Sequence, residues 1–184
     1  MIVESERLIL KNYSSSDIEN LIMLRSEPLV WRYSDKTVVK DISEVEQTLE
    51  IILSNYNNNK CEFQALFLKD TDEYIGEAGL LSYNPRCKRG VIGYNLHPKY
   101  WGFGYATEIT KALVRYLYEY LMLERIEALT AECNHASRKV LEKSGFVQEG
   151  NLRNFAYIDN QFLNVILYGM IRQDYMNATN TSRI

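Results

Sequence analysis

The sequence predicts an α/β (α+β) fold built on a mostly antiparallel sheet. Three strand-like runs between residues 61 and 98 are separated only by short turn segments, and such short links favour an antiparallel meander. Two helical patterns precede these runs, and strand–helix–strand connections occur only in the second half of the chain. A length of 184 residues favours a single domain, which we assign to residues 1–176, followed by a polar tail at 177–184 that is expected to fray.

The first half of the chain begins with one predicted strand and two predicted helices. The run RLILKNY is typical of a strand. Ser16, with Glu19 three residues later, is typical of a helix start, and Pro28 ends that segment. From Asp41, apolar residues recur at helical spacing until NYNNNK interrupts the pattern. The segment LVWRYSDKTVV between the two helices is expected to be a loop.

The second half alternates strands and helices. The runs CEFQALFLK, EYIGEAGLLSY and RGVIGYNLHP form the predicted meander, and a helix of about four turns follows. RIEALTAEC predicts a further strand and ASRKVLEKSGF a short helix that ends at Gly145. The last part predicts two or three strands with a turn at Asp159 and Asn160. The predicted order is therefore β-α-α-β-β-β-α-β-α-β-β.

Composition excludes several classes of function. A formal charge of −3, from 21 basic and 24 acidic side chains, gives no reason to expect direct binding to nucleic acid. The three cysteines are odd in number and widely spaced, so neither a disulfide framework nor a metal site is expected. The N-terminus carries acidic residues where a signal peptide needs basic ones, and no stretch approaches a membrane span. We expect a cytoplasmic protein, either monomer or homodimer, without membrane association.

Residues 97–108, HPKYWGFGYATE, place two glycines and several large rings directly before a helix. Unpaired backbone N–H groups at a helix start attract anions, and Gly102 and Gly104 would let the backbone wrap a phosphate. A Walker loop is excluded because Tyr105 and Ala106 follow Gly104 in place of Lys and Ser or Thr. A dinucleotide fingerprint would need a third glycine where Thr107 stands, and further parallel units.

The segment KYWGFGYA resembles the acyl-CoA pyrophosphate loop of the GNAT superfamily of N-acetyltransferases, with Lys99 in the position usually held by Arg or Gln. Together, IGYNLHPKYWGFGYATE and ECNHASRKVLEKSGFVQEGNLRN resemble the RimJ/RimL-like branch over roughly residues 91–154. The resemblance implies the GNAT fold: a twisted, mixed, mostly antiparallel sheet with helices on both faces and a splayed strand pair for the cofactor. It also implies acetyl-CoA as co-substrate, and no metal.

The resemblance implies that the cofactor lies where strand 91–96 and strand 126–133 splay apart. Backbone groups of Asn95 and Leu96 would pair with the pantetheine arm, and Asn134 would also reach it. Arg138 and Lys139, with Lys143 a turn later, are candidates to meet the adenosine phosphates. Asn134 can equally be an N-cap, and the basic residues a solvated helix face. The pyrophosphate loop would comprise Trp101, Gly102, Phe103, Gly104, Tyr105, Ala106 and Thr107, with the rings of Trp101, Phe103 and Tyr105 anchoring it to the body.

Two catalytic roles are predicted. Ser137 matches the serine proposed in RimL-like enzymes to donate a proton to the leaving thiolate, although it can also be an ordinary helix-start serine. Strand alternation places Glu77 on one face with Ile75 and Leu81, and apolar neighbours raise the pKa of a carboxyl group toward the value that a general base requires. Glu62 is the second candidate base. Either glutamate can instead be a solvated sheet residue.

The resemblance implies a primary amine as acceptor, of one of several classes. The RimJ/RimL resemblance implies a protein or peptide N-terminal α-amine. The alternatives are a small molecule (polyamine, amino sugar, antibiotic or amino acid) and a non-catalytic module that binds acyl-CoA. Val91 and Asn164 replace acidic residues common in relatives. These differences weaken any inference of the acceptor from the substrates of those relatives. The segment Trp31, Arg32 and Tyr33 would either be a lid over the acceptor or attach the connecting loop to the body of the protein through its aromatic rings.

Overall fold

The computed structural model describes residues 2–34, 38, 39 and 41–181. Its strands form one sheet of eight in the order β1-β2-β3-β4-β5-β6-β8-β7. Every neighbouring pair is antiparallel except β5 and β6, which are parallel. The strands are β1 (Val3–Glu4), β2 (Leu8–Lys11), β3 (Glu62–Leu68), β4 (Tyr74–Asn84), β5 (Arg89–Leu96), β6 (Arg125–Ala131), β7 (Val147–Ile158) and β8 (Gln161–Ile171).

Six α-helices are present among the described residues, and they confirm the predicted fold class. None of these helices is long and apolar enough to cross a membrane. The helices are α1 (Ile18–Arg25), α2 (Pro28–Trp31), α3 (Ile42–Asn57), α4 (Tyr105–Glu119), α5 (His135–Lys143) and α6 (Arg172–Thr181).

Some predicted boundaries are wrong. The first helical segment starts with a 3-10 turn for which Ser14, not Ser16, is the N-cap, because the carboxylate of Asp17 accepts the Ser14 amide at 2.8 Å. Helix α2 begins at Pro28, since a proline at the first helical position loses no hydrogen bond, and it includes residues 29–31 of the predicted loop. Helix α6 includes residues 177–181 of the predicted tail. Residues 35–37 and 40 of the loop and 182–184 of the tail lie outside the described residues.

Two apolar clusters cover the two faces of the sheet, as the predicted fold requires. Ile109, Leu113 and Leu117 of α4 pack on one face, with strand residues such as Leu66 and Ile75. Leu21 and Leu24 of α1 and Val45, Leu49 and Ile52 of α3 pack on the other face, with Ala65, Phe67 and Tyr74. Helices therefore lie on both faces of the sheet.

The parallel pair β5 and β6 separates partway along its length. Cα partners join Arg89 to Arg125, Gly90 to Ile126 and Val91 to Glu127, and the pairing ends there. Beyond it, β5 stays paired with β4 as far as Leu96, and β6 stays paired with β8. The predicted splayed strand pair is confirmed.

A β-bulge in β4 decides which face Glu77 occupies. Leu66 of β3 is opposite Gly76, but Phe67 is opposite Tyr74, so Ile75 is the extra residue. Ile75 consequently packs with α4, while Glu77 contacts Arg25 of α1 on the opposite face. The prediction that Glu77 shares a face with Ile75 is wrong, because the bulge resets the alternation.

Candidate functional site

A cavity of about 520 Å³ opens where β5 and β6 separate, a volume typical of small-ligand sites. Its walls are the end of β5, the loop and first turn of α4, residues 133–143 around the start of α5, and residues 29–33 around the end of α2. The cavity brings together most of the predicted site residues: Asn95, Leu96, Trp101, Gly102, Gly104, Tyr105, Ala106, Thr107, Asn134 and Ser137.

The loop before α4 has the backbone of an anion cradle. Gly102 and Gly104 have φ values of 85° and 83°, in the left-handed region that glycine tolerates best. A Cβ at Gly102 would meet nothing within 4 Å, and one at Gly104 would meet only Nη2 of Arg7 at 3.7 Å. Backbone conformation, not lack of space, therefore requires these glycines. The amides of residues 105–107 make no hydrogen bond to another described residue and remain available to an anion.

The rings of this loop have different roles from those predicted. Phe103 is 60% exposed and stacks on Tyr105, so it does not anchor the loop in the core and does not line the cavity. Tyr100, which sequence reasoning missed, is the buried ring of the segment. The indole of Trp101 donates to the carbonyl of Leu96 at 2.7 Å. This bond ties the loop to the end of β5, and it engages a carbonyl that was predicted to meet the pantetheine arm.

The start of α5 supplies a paired hydroxyl. Oδ1 of Asn134 accepts the amide of Ser137 at 3.1 Å, so Asn134 is an N-cap that also lines the cavity. Oγ of Ser137 lies 2.9 Å from the phenol oxygen of Tyr94 on β5. Burial raises the pKa of Tyr94 to about 12, which keeps its hydroxyl protonated. Sequence reasoning missed Tyr94, although strand alternation puts it on the face opposite Asn95.

The structure does not bring Arg138 to the cavity. Its guanidinium is directed at the Tyr168 hydroxyl, the Gln148 side chain and the Glu132 carbonyl, each at 3.4 Å. Lys139 and Lys143 line the cavity in its place. Lys139 and Lys143, four residues apart, share one side of the short helix and Arg138 lies on another, an orientation that the sequence pattern alone did not give.

Glu77 lies in a buried polar network and does not line the cavity. Its carboxylate is fully buried and accepts hydrogen bonds from Arg25 at 3.0 Å, Asn95 at 2.8 Å and Tyr13 at 3.2 Å. The Tyr13 and Tyr74 hydroxyls lie 2.6 Å apart, and burial raises the pKa of both well above the usual value. The prediction of a carboxylate among apolar neighbours is therefore wrong.

Glu62 and Asn164 also lie away from the cavity lining. Oε2 of Glu62 accepts the side-chain amide of Asn55 at 2.8 Å. The side-chain amide of Asn164 donates to Glu132 at 2.9 Å. The rival base and the altered tail position thus have structural partners elsewhere in the fold.

The wall around α2 combines one buried aromatic ring with residues that line the cavity. Trp31 is buried, its indole donates to the Leu24 carbonyl at 3.0 Å, and its ring lies 4.5 Å from the Arg25 guanidinium. Trp31 therefore pins the segment, whereas Arg32 and Tyr33 line the cavity. Among the residues that the structure describes, the Lys, Arg, Asp and Glu side chains that line the cavity are Arg32, Lys139 and Lys143, all of them basic.

No group of three or more His, Cys, Asp or Glu side chains in the described part of the chain is arranged to hold a metal ion. The residues that line the cavity carry hydroxyl, amide and basic side chains, together with Cys133 and His135.

Comparisons with known proteins agree with this arrangement. A family model described as acetyltransferase (GNAT) domain matches residues 7–147. The uncharacterized N-acetyltransferase p20 of Bacillus licheniformis is 29% identical over 171 residues, which cover 93% of this chain and 96% of that protein.

Two solved structures share the fold. RimL, described as ribosomal L7/L12 alpha-N-protein acetyltransferase in complex with coenzyme A, has a TM-score of 0.84 at 20% identity, covering 93% of this chain and 98% of that one. Spermidine N-acetyltransferase from Vibrio cholerae, in complex with CoA and spermine, has a TM-score of 0.83 at 20% identity, covering 93% and 99%.

Proposed function

The chain belongs to the GNAT family of acetyltransferases, and from this premise we propose that it transfers the acetyl group of acetyl-CoA to the α-amine of a protein or peptide N-terminus. The observation that carries the choice of acceptor is the charge of the cavity. Its lining, within the described residues, has three basic side chains and no carboxylate.

This lining favours an α-amine over a polyamine. Lys139 and Lys143 are assigned to the cofactor phosphates, so a polycation would face Arg32 with no acidic partner among the described lining residues. An alkyl amine with a pKa of about 10.4 also needs a base near neutral pH, whereas an α-amine with a pKa of about 7.7 to 8.0 is partly neutral there. The acceptor that fits is therefore an amine that loses its proton to solvent. The name of RimL supports this class, and that of the spermidine enzyme supports the alternative.

The residues of the cavity fit acetyl-CoA. The free amides of residues 105–107, at the positive end of helix α4, would hold the pyrophosphate. Lys139 and Lys143, which line the cavity, would meet the adenosine phosphates in place of Arg138. The backbone of β5 at Asn95, beyond its last pairing with β6, would hold the pantetheine arm.

The reaction is acetyl transfer without a covalent enzyme intermediate. Acetyl-CoA supplies the thioester carbon, to which the amine nitrogen bonds as the carbon–sulfur bond breaks. The nitrogen releases one proton to solvent and the departing sulfur takes one up, so the overall transfer is neutral. Ser137 would donate that proton, and the hydroxyl of Tyr94, 2.9 Å away, would hold Ser137 in place and pass it a proton, which Tyr94 would regain from solvent. The two residues form one donor unit.

The experiment that tests this function is thiol release from acetyl-CoA, measured with N-terminal peptides, free amino acids, aminoglycosides and spermidine. We expect turnover with peptides at rates well above those with spermidine. Faster turnover with spermidine would reverse the choice of acceptor. Tight acetyl-CoA binding without thiol release for any amine would favour the non-catalytic binding module instead.

The pH dependence provides a second test. For a peptide, kcat/KM should rise with pH and level off above about pH 8, because the neutral fraction of the acceptor controls the rate. The midpoint should follow the amine pKa when peptides of different N-terminal residue are compared. A midpoint that stays fixed while the acceptor changes would instead indicate an enzyme base. Initial rates from pH 5.5 to 9.5 distinguish the two outcomes.

Gly104→Ala should weaken acetyl-CoA binding by about 1 to 3 kcal/mol, because a side chain disfavours the left-handed backbone that aims the loop amides. Isothermal titration calorimetry with acetyl-CoA measures this loss. Gly150→Ala is the matched control, since Gly150 lacks a positive φ and a Cβ there would meet nothing within 4 Å. Equal affinity in the two variants would contradict the role of the loop.

A further inference from the structure

Asn95 has a fixed side-chain orientation. It lies directly opposite Glu77 across β4 and β5, so the two side chains share one face of the sheet. Nδ2 of Asn95 lies 2.8 Å from Oε1 of Glu77, and Nη2 of Arg25 lies 3.2 Å from that same oxygen. A carboxylate paired with a guanidinium only accepts hydrogen bonds, so the nitrogen of the Asn95 amide must face Glu77.

The oxygen of the same amide is available to a ligand. Oδ1 of Asn95 makes no hydrogen bond to another described residue, while Asn95 itself lines the cavity. Without Glu77, the amide could rotate and present either atom to the cavity. The Glu77 carboxylate thus fixes a hydrogen-bond acceptor at the cavity wall.

Tyr94 and Asn95 are successive residues of β5, so they occupy opposite faces of the sheet. Tyr94 reaches Ser137 of α5 on one face, and Asn95 reaches Glu77, next to Arg25 of α1, on the other. Both residues lie beyond Val91, where the pairing of β5 with β6 ends. The gap between the strands therefore has a proton donor on the α5 side and an oriented acceptor on the α1 side.

We propose that Oδ1 of Asn95 accepts a hydrogen bond from the attacking amine, and that buried Glu77 is a positioning residue acting through Asn95 rather than the general base. This inference rests on the proposed function and identifies the contact that orients the nitrogen. A neutral amine that donates one N–H to Asn95 keeps its lone pair free for attack. A neutral amide also stabilises the ammonium ion less than a carboxylate would. The acceptor therefore binds more readily as the neutral amine, which is the form that attacks.

The test compares Asn95→Ala, Asn95→Asp and Glu77→Gln by steady-state thiol release with peptide and acetyl-CoA varied separately. Asn95→Ala should lower kcat/KM for the peptide about 10-fold and leave the KM for acetyl-CoA unchanged, because the backbone of β5 is retained. Asn95→Asp should move the pH midpoint of kcat for the peptide upward, because a carboxylate stabilises the ammonium form of the bound amine. Glu77→Gln should reduce kcat/KM for the peptide in the same sense as Asn95→Ala.

Asn55→Ala is the matched control, since Asn55 makes the same 2.8 Å amide-to-carboxylate bond, to Glu62, away from the cavity lining. An equal loss in Asn55→Ala, or a loss confined to the KM for acetyl-CoA, overturns the role of Asn95. An unmoved pH midpoint of kcat in Asn95→Asp overturns the contact with the amine. A wild-type chain that turns over no amine overturns the proposed function and this inference together, whereas normal wild-type turnover with unchanged Asn95 variants overturns this inference alone.

Discussion

Replacing Glu77 by alanine should lower the free energy of unfolding by about 3 to 5 kcal/mol, the usual consequence of leaving a buried charge without its partner. The Arg25 and Glu77 side chains are 7% and 0% exposed, so water cannot replace the lost partner without disturbing the core. Within the described part of the chain, Nε of Arg25 is buried without a hydrogen bond. The ion pair between Nη2 of Arg25 and Glu77 therefore has to stabilise the buried guanidinium. Urea unfolding followed by circular dichroism measures the effect.

Two further variants distinguish the effect of the lost ion pair on stability from the effect of the lost side-chain volume. Glu62→Ala removes a half-buried carboxylate that accepts hydrogen bonds from the Asn55 side chain and the adjacent Phe63 amide, so a loss of about 1 kcal/mol is expected. Arg25→Met combined with Glu77→Leu should recover much of the stability lost in Glu77→Ala, because apolar side chains of similar size replace the pair. A loss below about 1 kcal/mol in Glu77→Ala would contradict the ion pair as a stabilising contact.

Local patterns in the sequence predicted the turn before α4 and the general order of the elements around it. Gly102 and Gly104 before an amphipathic helix indicated a flexible turn, and the structure shows that both residues have positive φ. The order of strands and helices indicated strand–helix–strand connections only in the second half, where the structure has its parallel pair, β5 and β6. These features depend on residues close together in the chain, for which spacing carries the information.

Contacts between distant residues explain what the sequence did not predict. Arg25 meets Glu77 across 52 positions of the chain, and an extra residue at Ile75 reverses the face that strict alternation assigns. Arg138 and Lys139 are adjacent in the sequence, but a rotation of about 100° between neighbouring helix residues directs only Lys139 to the cavity. The orientation of a short helix and the position of a bulge are fixed by packing, not by composition.

Ser137→Ala should lower kcat for acetyl transfer by about 10²-fold, the lower end of the usual effect of a general acid, because a thiolate is already a fair leaving group. Acetyl-CoA affinity should change little, since the N-cap bond from the Ser137 amide to Asn134 uses only backbone at position 137. Single-turnover thiol release at saturating acetyl-CoA measures the chemical step. Ser144→Ala is the control, because Ser144 ends the same helix and its hydroxyl donates to the Val140 carbonyl, away from the cavity lining.

The combination with Tyr94→Phe shows whether the two hydroxyls act as one donor. If Tyr94 works through Ser137, Tyr94→Phe alone should lower kcat less than Ser137→Ala, and the double variant should match Ser137→Ala, since residues that act as a unit are not additive. Multiplied losses in the double variant would mean that Tyr94 protonates the sulfur by itself. Equal kcat in Ser137→Ala and Ser144→Ala would remove Ser137 from the chemistry, and Tyr94, whose burial keeps it protonated, would then be the remaining hydroxyl of this pair.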